Sequence, residues 1–227
     1  DGKIHLKIVE KAENVTENGG ENTQGKRYFA KVLWGGLLKS RKSAALPGAK
    51  IYPPTLTNSD LANIKIAKEM GVTGVMQPFV RDHSDLECVK EALREAGAED
   101  IRLFAKIENM DGVRKLEKLL PAADEIVIAR GDLGNAVHLW DLPGVQRQIA
   151  EKCRAAGKPF MVVTQMLASM ERSPVPTRAE VNDIFHAVMD GAASIMVTGE
   201  TAVGDYPVEV IRYMVNTVRS AEKEENR

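Results

Sequence analysis

Apolar and polar positions follow two different patterns along the chain, and the change falls close to residue 50. Before it, Ile4, Leu6 and Ile8 alternate with polar residues, as do parts of the segment 28–33, and glycine-rich turns follow the stretches at 18–20 and 35–36. Alternation of this kind is typical of half-buried β-strands. Residues 1–48 are therefore predicted to form a small β-rich module, with too few strands to make a core of its own.

From about residue 56 onwards, the apolar periodicity alternates between that of strands and that of helices. The predicted strands are 72–80, 101–107, 126–129, 160–164 and 194–197. The predicted helices are 58–70 with Asn58 as its cap, 84–97 opened by Ser84, 111–120, 142–156, two short helices divided at Pro174 and Pro176, and 207–225. Thr177 and Glu180 have the spacing of a capping box at the start of the second short helix.

Five strand–helix units with apolar, β-branched strands are typical of parallel strands that are buried on both faces. In such folds the functional side chains collect where the strands end. The polar residues that follow the predicted strands are Arg81, Lys106, Glu108, Arg130, Asp132, Thr164, Gln165, Thr198 and Glu200. A barrel accounts for them better than an open sheet, because a barrel brings every strand end to one centre. The sequence has neither a dinucleotide-binding fingerprint nor a Walker-type phosphate loop.

Two carboxylates and one lysine stand out chemically among these residues. Glu108 closes one predicted strand and Asp132 follows the next, so both are expected at the same ends of neighbouring parallel strands, where they are well placed to share a divalent cation. Lys106 lies two residues before Glu108, so on a strand both side chains point to the same face. An ammonium group beside a metal ion stabilises an enolate or a transferring phosphoryl group. A metal-assisted enzyme is therefore the leading hypothesis.

Composition narrows the range of partners and locations. The 227 residues carry a formal net charge of −1, so the chain as a whole has no electrostatic attraction for nucleic acid or for an anionic membrane. The sequence shows no signal peptide and no apolar run long enough to span a bilayer, which favours a cytoplasmic location. Cys88 and Cys153 fall in predicted helices and are expected to be reduced.

Longer motifs surround the residues that follow the predicted strands. They are KIEN at 106–109, ARGDLG at 129–134, VTQMLASM at 163–170, SPVPTRAEVND at 173–183 and TGETAVGDYP at 198–207. In these motifs, and in their order and spacing, the chain closely resembles the pyruvate kinase family. Looser matches, such as GGLLKSRK at 35–42 and TLTNSD at 55–60, extend the resemblance over essentially the whole chain.

The resemblance implies an α/β fold of the (β/α)8 TIM-barrel type, with a β-rich lid inserted after the third strand. Residues 1–48 would be the C-terminal part of that lid. Residues 49–227 would be the second part of the catalytic barrel, about five βα units from the fourth strand to the eighth. The barrel is therefore expected to be incomplete in this chain. In the family, the strands without a counterpart here supply the potassium ligands and much of the nucleotide site.

The resemblance also implies a reaction, the last step of glycolysis, in which phosphoenolpyruvate and ADP give pyruvate and ATP. Glu108 and Asp132 match the family's ligands for a divalent metal ion, Mg²⁺ or Mn²⁺. Lys106 matches the catalytic lysine that stabilises the phosphoryl group and the enolate. Thr164 matches the threonine beside the substrate carbon that receives a proton.

Further matches concern substrate binding. The backbone amides around Ala129, Arg130 and Gly131 match those that hold the substrate carboxylate. By the same resemblance, Lys106, Asp132 and Thr164 also contact the substrate. Thr198 stands where the family usually has serine, and Glu200 matches the glutamate two residues after it. Both are candidate site residues on this basis.

Two other hypotheses stay open. The first is a metal–enolate enzyme, a lyase or decarboxylase acting on pyruvate or oxaloacetate, because the metal and carboxylate motifs are present and those of the nucleotide half are not. The second is a catalytically incompetent fragment that needs a partner chain. Five of eight barrel units would leave two sheet edges with unpaired backbone groups, which invites association. An oligomer, or a partner chain that completes the barrel, is therefore expected.

Overall fold

The computed structural model describes residues 4–12, 27–38, 40, 44–46 and 51–225 of the chain. The chain divides into two compact units, Asp1–Leu46 and Pro47–Arg227. The domain boundary expected at residues 48–49 lies outside the described residues. Of the helices in the described ranges, none is both long enough and apolar enough to cross a membrane.

The described part of the first unit is an antiparallel strand pair. β1 (His5–Ala12) pairs with β2 (Arg27–Trp34), and His5 lies opposite Trp34. The register shifts at two places along the pair, which moves neighbouring side chains between the two faces. Both segments that the alternating pattern predicts as strands are therefore confirmed as strands.

The second unit is an α/β structure built on one parallel sheet. Its strands are β3 (Gly74–Gln77), β4 (Arg102–Ile107), β5 (Glu125–Ala129), β6 (Phe160–Val163) and β7 (Ser194–Met196). They lie side by side in the order in which they occur in the chain, as the strands of a barrel wall do. Within the described residues the sheet is open, with β3 and β7 at its edges. The five parallel strands predicted from the sequence are confirmed.

Helices connect these strands and follow the last one. They are α1 (Asn58–Ala67), α2 (His83–Glu95), α3 (Met110–Arg114), α4 (Leu116–Leu119), α5 (Arg130–Ala136), α6 (Leu142–Ala155), a 3-10 helix (Ala168–Glu171), α7 (Arg178–Met189), α8 (Gly199–Ala202) and α9 (Pro207–Glu225). The helices expected from the periodicity are present, but several of their boundaries differ from the prediction.

The helices α1 and α2 begin earlier in the chain than the sequence predicts. Thr57, not Asn58, caps α1: its hydroxyl accepts the Asp60 amide, and the Asp60 carboxylate accepts the Thr57 amide at 2.7 Å. Asp82, not Ser84, caps α2, because its carboxylate accepts the Ser84 amide at 3.0 Å. In each case two neighbouring residues have capping side chains, and the one placed before the first helical turn is the cap.

Three connections differ from the prediction as well. The helix predicted at 111–120 is divided at Lys115 into α3 and α4. The short helices α5 and α8 follow β5 and β7 directly, where loops were expected. Of the two helices divided by prolines, the first is a 3-10 helix, and the second, α7, has 12 residues and is not short. The capping box of Thr177 and Glu180 at its start is confirmed.

The two faces of the sheet bury different side chains. One face joins the helices in the main core, to which the strands contribute Leu103, Ala105, Ile107, Ile126, Ile128 and Val162. On the other face, a smaller cluster contains Phe104, Val127 and Val163, with Met161 and Met196 packed against it. Lys106 lies two residues after Phe104 and therefore belongs to the second face. This face leads to the strand ends that carry the predicted site residues.

Candidate active site

Lys106 and Glu108 form an ion pair at the C-terminal end of β4. The Lys106 Nζ lies 2.9 Å from the Glu108 Oε1, which confirms that the two side chains share one face. Glu108 is only 4% exposed, and its Oε2 accepts a hydrogen bond of 2.8 Å from the Phe79 amide. Phe79 has a φ of +50°, so the chain takes up a left-handed conformation where it presents this amide to the carboxylate. The carboxylate is thereby fixed from two sides.

Asn109, the last residue of the KIEN motif, joins the ends of β3 and β4. Its Oδ1 accepts the Gly112 amide at 2.9 Å and so caps α3, while its Nδ2 donates to the Val80 carbonyl at 3.1 Å. A Cβ on Gly112 would lie 2.7 Å from that same carbonyl, so only glycine permits this approach. The loop that carries Glu108 is therefore held firmly against the neighbouring loop.

Asp132 occupies the first turn of α5, which begins as β5 ends. It is half-buried, and the parallel pairing of β4 with β5 places it and Glu108 after the same ends of adjacent strands. None of the hydrogen bonds or ion pairs found in the described ranges joins Asp132 to Glu108, as expected for two carboxylates that can only accept hydrogen bonds when ionised.

The start of α5 lies against Thr164, the residue after β6. A Cβ placed on Gly131 would be 3.0 Å from the Thr164 Cγ2 and 3.5 Å from its Oγ1. The absence of a side chain on Gly131 therefore lets the Thr164 side chain approach the backbone of the ARGDLG motif. Thr164 itself has a φ of +86°, and Gln165 after it has a φ of +55°. The structure thus brings together Gly131 and Thr164, which the sequence placed in one site.

The side chain of Arg130 makes contacts that the sequence did not suggest. Its Nη2 and Nε both donate to the Thr164 carbonyl, at 2.8 and 3.2 Å. Its Nη1 lies 2.7 Å from the Asp183 carboxylate on α7. Asp183 is a functional candidate that sequence reasoning missed, although it is the last letter of the SPVPTRAEVND motif.

Thr198 and Glu200 lie beside each other at the end of β7. Glu200 is only 2% exposed, and its carboxylate accepts the Thr198 amide at 2.8 Å and the Leu167 amide at 3.2 Å. Both carboxylate oxygens therefore bind backbone amides of two neighbouring loops. The geometry favours positioning of these loops over direct ligand contact for Glu200. Thr198 is exposed, so its hydroxyl is accessible.

A surface cavity of about 340 Å³ lies elsewhere at this end of the sheet. It is lined by Tyr52, Arg81, Asp82, Ser84, Asp85, Asp111 and Lys115. Of the residues matched to the family's site, none lines it, whereas Arg81, a polar residue after a predicted strand, does. Its central feature is the ion pair of Arg81 with Asp85, a contact that holds the loop after β3. The cavity and the predicted site are therefore different parts of the molecule.

The carboxylates at these strand ends are chemically suited to a hard divalent cation, but they do not surround one. Across the described ranges, no group of three or more histidine, cysteine, aspartate or glutamate side chains is placed to hold a metal ion. Mg²⁺ usually takes only one or two protein carboxylates and fills its other positions with water and substrate oxygens. A carboxylate offers about four acceptor sites, so Glu108 keeps capacity beyond its two present contacts. Glu108 and Asp132 therefore fit such an ion chemically.

Comparison with known proteins gives the family. A sequence model described as the barrel domain of pyruvate kinase matches residues 1–211. The chain belongs to the pyruvate kinase family. This confirms the predicted fold class, because the five parallel strands of the open sheet are then a part of a barrel domain.

Individual pyruvate kinases are similar over most of this chain. The enzyme of Bacillus licheniformis is 40% identical over 202 residues, which cover 89% of this chain and 34% of that protein. That of Geobacillus stearothermophilus is 42% identical over 214 residues, with 94% and 35% covered. That of Dictyostelium discoideum is 42% identical over 185 residues, with 82% and 36% covered. The chain thus spans about a third of the length of these relatives.

Proposed function

We propose that this chain carries the metal and enolate half of a pyruvate kinase active site, which transfers a phosphoryl group between phosphoenolpyruvate and ADP. The observation that carries the proposal is the ion pair of Lys106 with the buried Glu108 at the end of β4. In a chain of this family, a lysine fixed beside a carboxylate at a barrel strand end is suited to phosphoryl transfer, because that chemistry depends on positioning and on charge stabilisation.

In the proposed site, Glu108 and Asp132 would hold a divalent cation, Mg²⁺ or Mn²⁺. When bound, that ion supplies positive charge to the substrate oxygens. Glu108 holds Lys106 at 2.9 Å, so the ammonium group is already oriented before substrate arrives. Lys106 would neutralise negative charge that develops on the phosphoryl group and the enolate oxygen. Preorganised charge of this kind is often the largest contribution to catalysis.

Two further elements would orient the substrate. The backbone amides at Ala129, Arg130 and Gly131 would bind its carboxylate, because the first amides of α5 have no acceptor within the helix. Thr164 would lie on the side where the enolate carbon takes up a proton. Its contact with Gly131 supports this role, since the carboxylate end and the proton donor of one small substrate must lie close together.

The complete reaction would need more than this chain. The chain spans about a third of its relatives' length, so the nucleotide and potassium sites are proposed to come from barrel strands outside it. Within the described residues, β3 and β7 each pair on one side only. Further strands, from a longer protein or a partner chain, would pair with these edges and complete the barrel.

A titration of oxalate, a stable analogue of the pyruvate enolate, tests the proposal. We expect this chain to bind oxalate in calorimetry when Mn²⁺ is present and not when it is absent. Glu108→Gln should weaken this binding roughly 10- to 100-fold, because it removes the charge that holds both the cation and Lys106. Glu117→Gln is a matched control, since Glu117 pairs with Lys152 at the same 2.9 Å on an exposed surface.

The outcomes separate the alternatives. Binding by the parent and its loss in Glu108→Gln would support a metal–enolate site, and ADP-dependent turnover after supply of the other barrel strands would then support the kinase. Decarboxylation of oxaloacetate without any nucleotide would favour a lyase instead. Failure of the folded parent to bind would contradict the proposal and leave a chain that depends on a partner.

A further inference from the structure

Thr164 has a backbone conformation that costs energy. Its φ of +86° lies in the left-handed region, which is unfavourable for a β-branched residue. A residue in such a region keeps its conformation only where its surroundings impose it. Gln165 follows with a φ of +55°, so the chain has two such residues in succession directly after β6.

The carbonyl of Thr164 is bound by Arg130. Two of its nitrogens, Nη2 at 2.8 Å and Nε at 3.2 Å, donate to the single carbonyl oxygen of Thr164. This carbonyl belongs to the strained residue itself, so its direction depends directly on the Thr164 backbone angles. The Arg130 side chain is only 13% exposed, and a charged donor shielded from water makes a comparatively strong hydrogen bond.

Asp183 in turn fixes the Arg130 guanidinium. The carboxylate lies 2.7 Å from Nη1, on the side of the group away from Thr164. Asp183 stands on α7, whose start is held by Glu180: this carboxylate accepts the Thr177 amide at 2.8 Å and the Ser169 amide at 2.7 Å. The anchor of Arg130 is therefore a well-fixed helix.

The same short segment touches Thr164 from two sides. Gly131 leaves room for the Thr164 side chain, whose methyl carbon lies 3.0 Å from the place a Cβ would take. Arg130, the residue before it, holds the Thr164 carbonyl. Two successive residues therefore meet Thr164, Gly131 at its side chain and Arg130 at its backbone.

We propose that Arg130 and Asp183 are positioning residues that hold Thr164 in its left-handed conformation, with its side chain against Gly131. The inference rests on the proposed function in one respect, namely that Thr164 lies where the enolate carbon takes up a proton. Asp183 does not contact substrate in this arrangement; it acts through the Arg130 guanidinium. An ion pair that only stabilises the fold would have no separate effect on Thr164.

The test compares Asp183→Asn and Arg130→Lys with the parent chain. Lysine can still pair with Asp183 but cannot donate twice to the Thr164 carbonyl. Asp100→Asn is the matched control, because Asp100 pairs with Lys68 at 2.8 Å on the surface. The first measurement needs no ligand: threonine methyl groups are labelled with ¹³C, and the Thr164 resonance is assigned with Thr164→Ser. We expect it to move in both variants and to stay in place in the control.

The second measurement concerns the reaction. Proton uptake by the enolate is reversible, so the site should exchange the methyl protons of pyruvate with deuterium from the solvent when Mg²⁺ is present. We expect Asp183→Asn to lower this rate at saturating pyruvate roughly tenfold or more, because misplacing a reacting group by about 1 Å costs up to about 100-fold. Affinity for oxalate with Mn²⁺ should stay within about threefold, since the cation, Lys106 and the amides are untouched.

The results distinguish this inference from the proposed function. A Thr164 resonance that does not move in Asp183→Asn would overturn the inference, whether or not the parent binds oxalate. Equal losses of exchange rate and oxalate affinity would also overturn it, because they would indicate general damage to the site. If the parent binds no oxalate but the resonance moves in both variants, the proposed function fails while the positioning of Thr164 by Arg130 and Asp183 is supported.

Discussion

The two ends of the parallel sheet use polar residues in different ways. At the N-terminal end, the Leu103 amide donates to Asp124 at 2.6 Å and the Ser194 hydroxyl donates to Glu125 at 2.6 Å. These contacts tie the starts of strands to one another, and none of the four residues has a positive φ. At the C-terminal end, the polar residues include Thr164, whose φ of +86° is unfavourable for a β-branched residue. Polar contacts at the N-terminal end stabilise the sheet, whereas a strained residue at the C-terminal end costs part of that stability.

The hydrogen bond between Ser194 and Glu125 joins two strands that are not direct neighbours. Glu125 begins β5 and Ser194 begins β7, and β6 lies between them. Side chains of alternate strands meet in this way inside a barrel, where they stack in layers. The bond across β6 is thus a contact of the kind found in a barrel interior.

The comparison has an exception at the C-terminal end of β3. Asp85 is 3% exposed and accepts four hydrogen bonds: 2.8 Å from the Arg81 amide, 3.1 Å from its Nε, 2.5 Å from its Nη2 and 2.6 Å from the Thr55 hydroxyl. This set fixes a loop and has no strained member. A position at the functional end of a sheet is therefore not sufficient to make a residue part of the site.

The largest effect on stability should come from this pair. Asp85→Asn should lower the free energy of unfolding by about 3 kcal/mol, because it leaves a partly buried guanidinium without its counter-ion. Urea unfolding followed by circular dichroism measures the change. Asp100→Asn removes an exposed partner of Lys68 and should cost less than about 1 kcal/mol. Equal losses in both variants would mean that the loop after β3 does not depend on the pair.

A smaller loss is expected at the N-terminal end. Glu125→Ala removes the acceptor of the half-buried Ser194 hydroxyl, and the expected cost is about 1 kcal/mol, at the low end of the range for an unsatisfied buried group. Oxalate binding with Mn²⁺ should remain that of the parent, since the site lies at the opposite end. Glu151→Ala, which breaks an exposed pair with Arg147 on α6, serves as the control. A loss of oxalate affinity in Glu125→Ala would break the division of roles between the two ends.

The sequence predicted those features that follow from local periodicity. The pair of Lys106 and Glu108 could be expected because a strand places residues two apart on one face. The order of the five strands followed from repeated strand–helix units, which leave few alternatives to parallel neighbours. The helix α5 was not predicted, because Gly131 and Gly134 lower its intrinsic helix propensity and tertiary contacts decide its formation.

The sequence did not predict the features that depend on packing between segments far apart in the chain. Arg130 and Asp183 are 53 positions apart, and their contact requires the packing of α7 beside the end of β5. The amide of Phe79 reaches Glu108 only because Phe79 adopts a left-handed conformation. Nothing in its residue type indicates this, since phenylalanine seldom adopts positive φ. The motifs thus predicted the residues of the candidate site, but not the contacts that surround them.

The smallest effect in this series is a dependence of stability on pH. Burial disfavours the charged form of Asp85, but hydrogen bonds from Arg81 and Thr55 outweigh burial and lower its pKa from 3.8 to about 2. A carboxyl whose pKa is lower in the folded state stabilises the fold above its unfolded pKa, and this contribution disappears as the pH falls through the folded pKa.

The stability difference between the parent and Asp85→Asn should therefore be constant above about pH 5 and shrink by about 1–2 kcal/mol between about pH 4 and pH 2. Urea unfolding of both proteins across this range measures it, and the subtraction removes the contributions of other carboxylates. The same subtraction with Asp100→Asn should give a much smaller change, because water screens an exposed pair. A difference that persists down to pH 2 would show that the Asp85 contacts act through shape and not through charge.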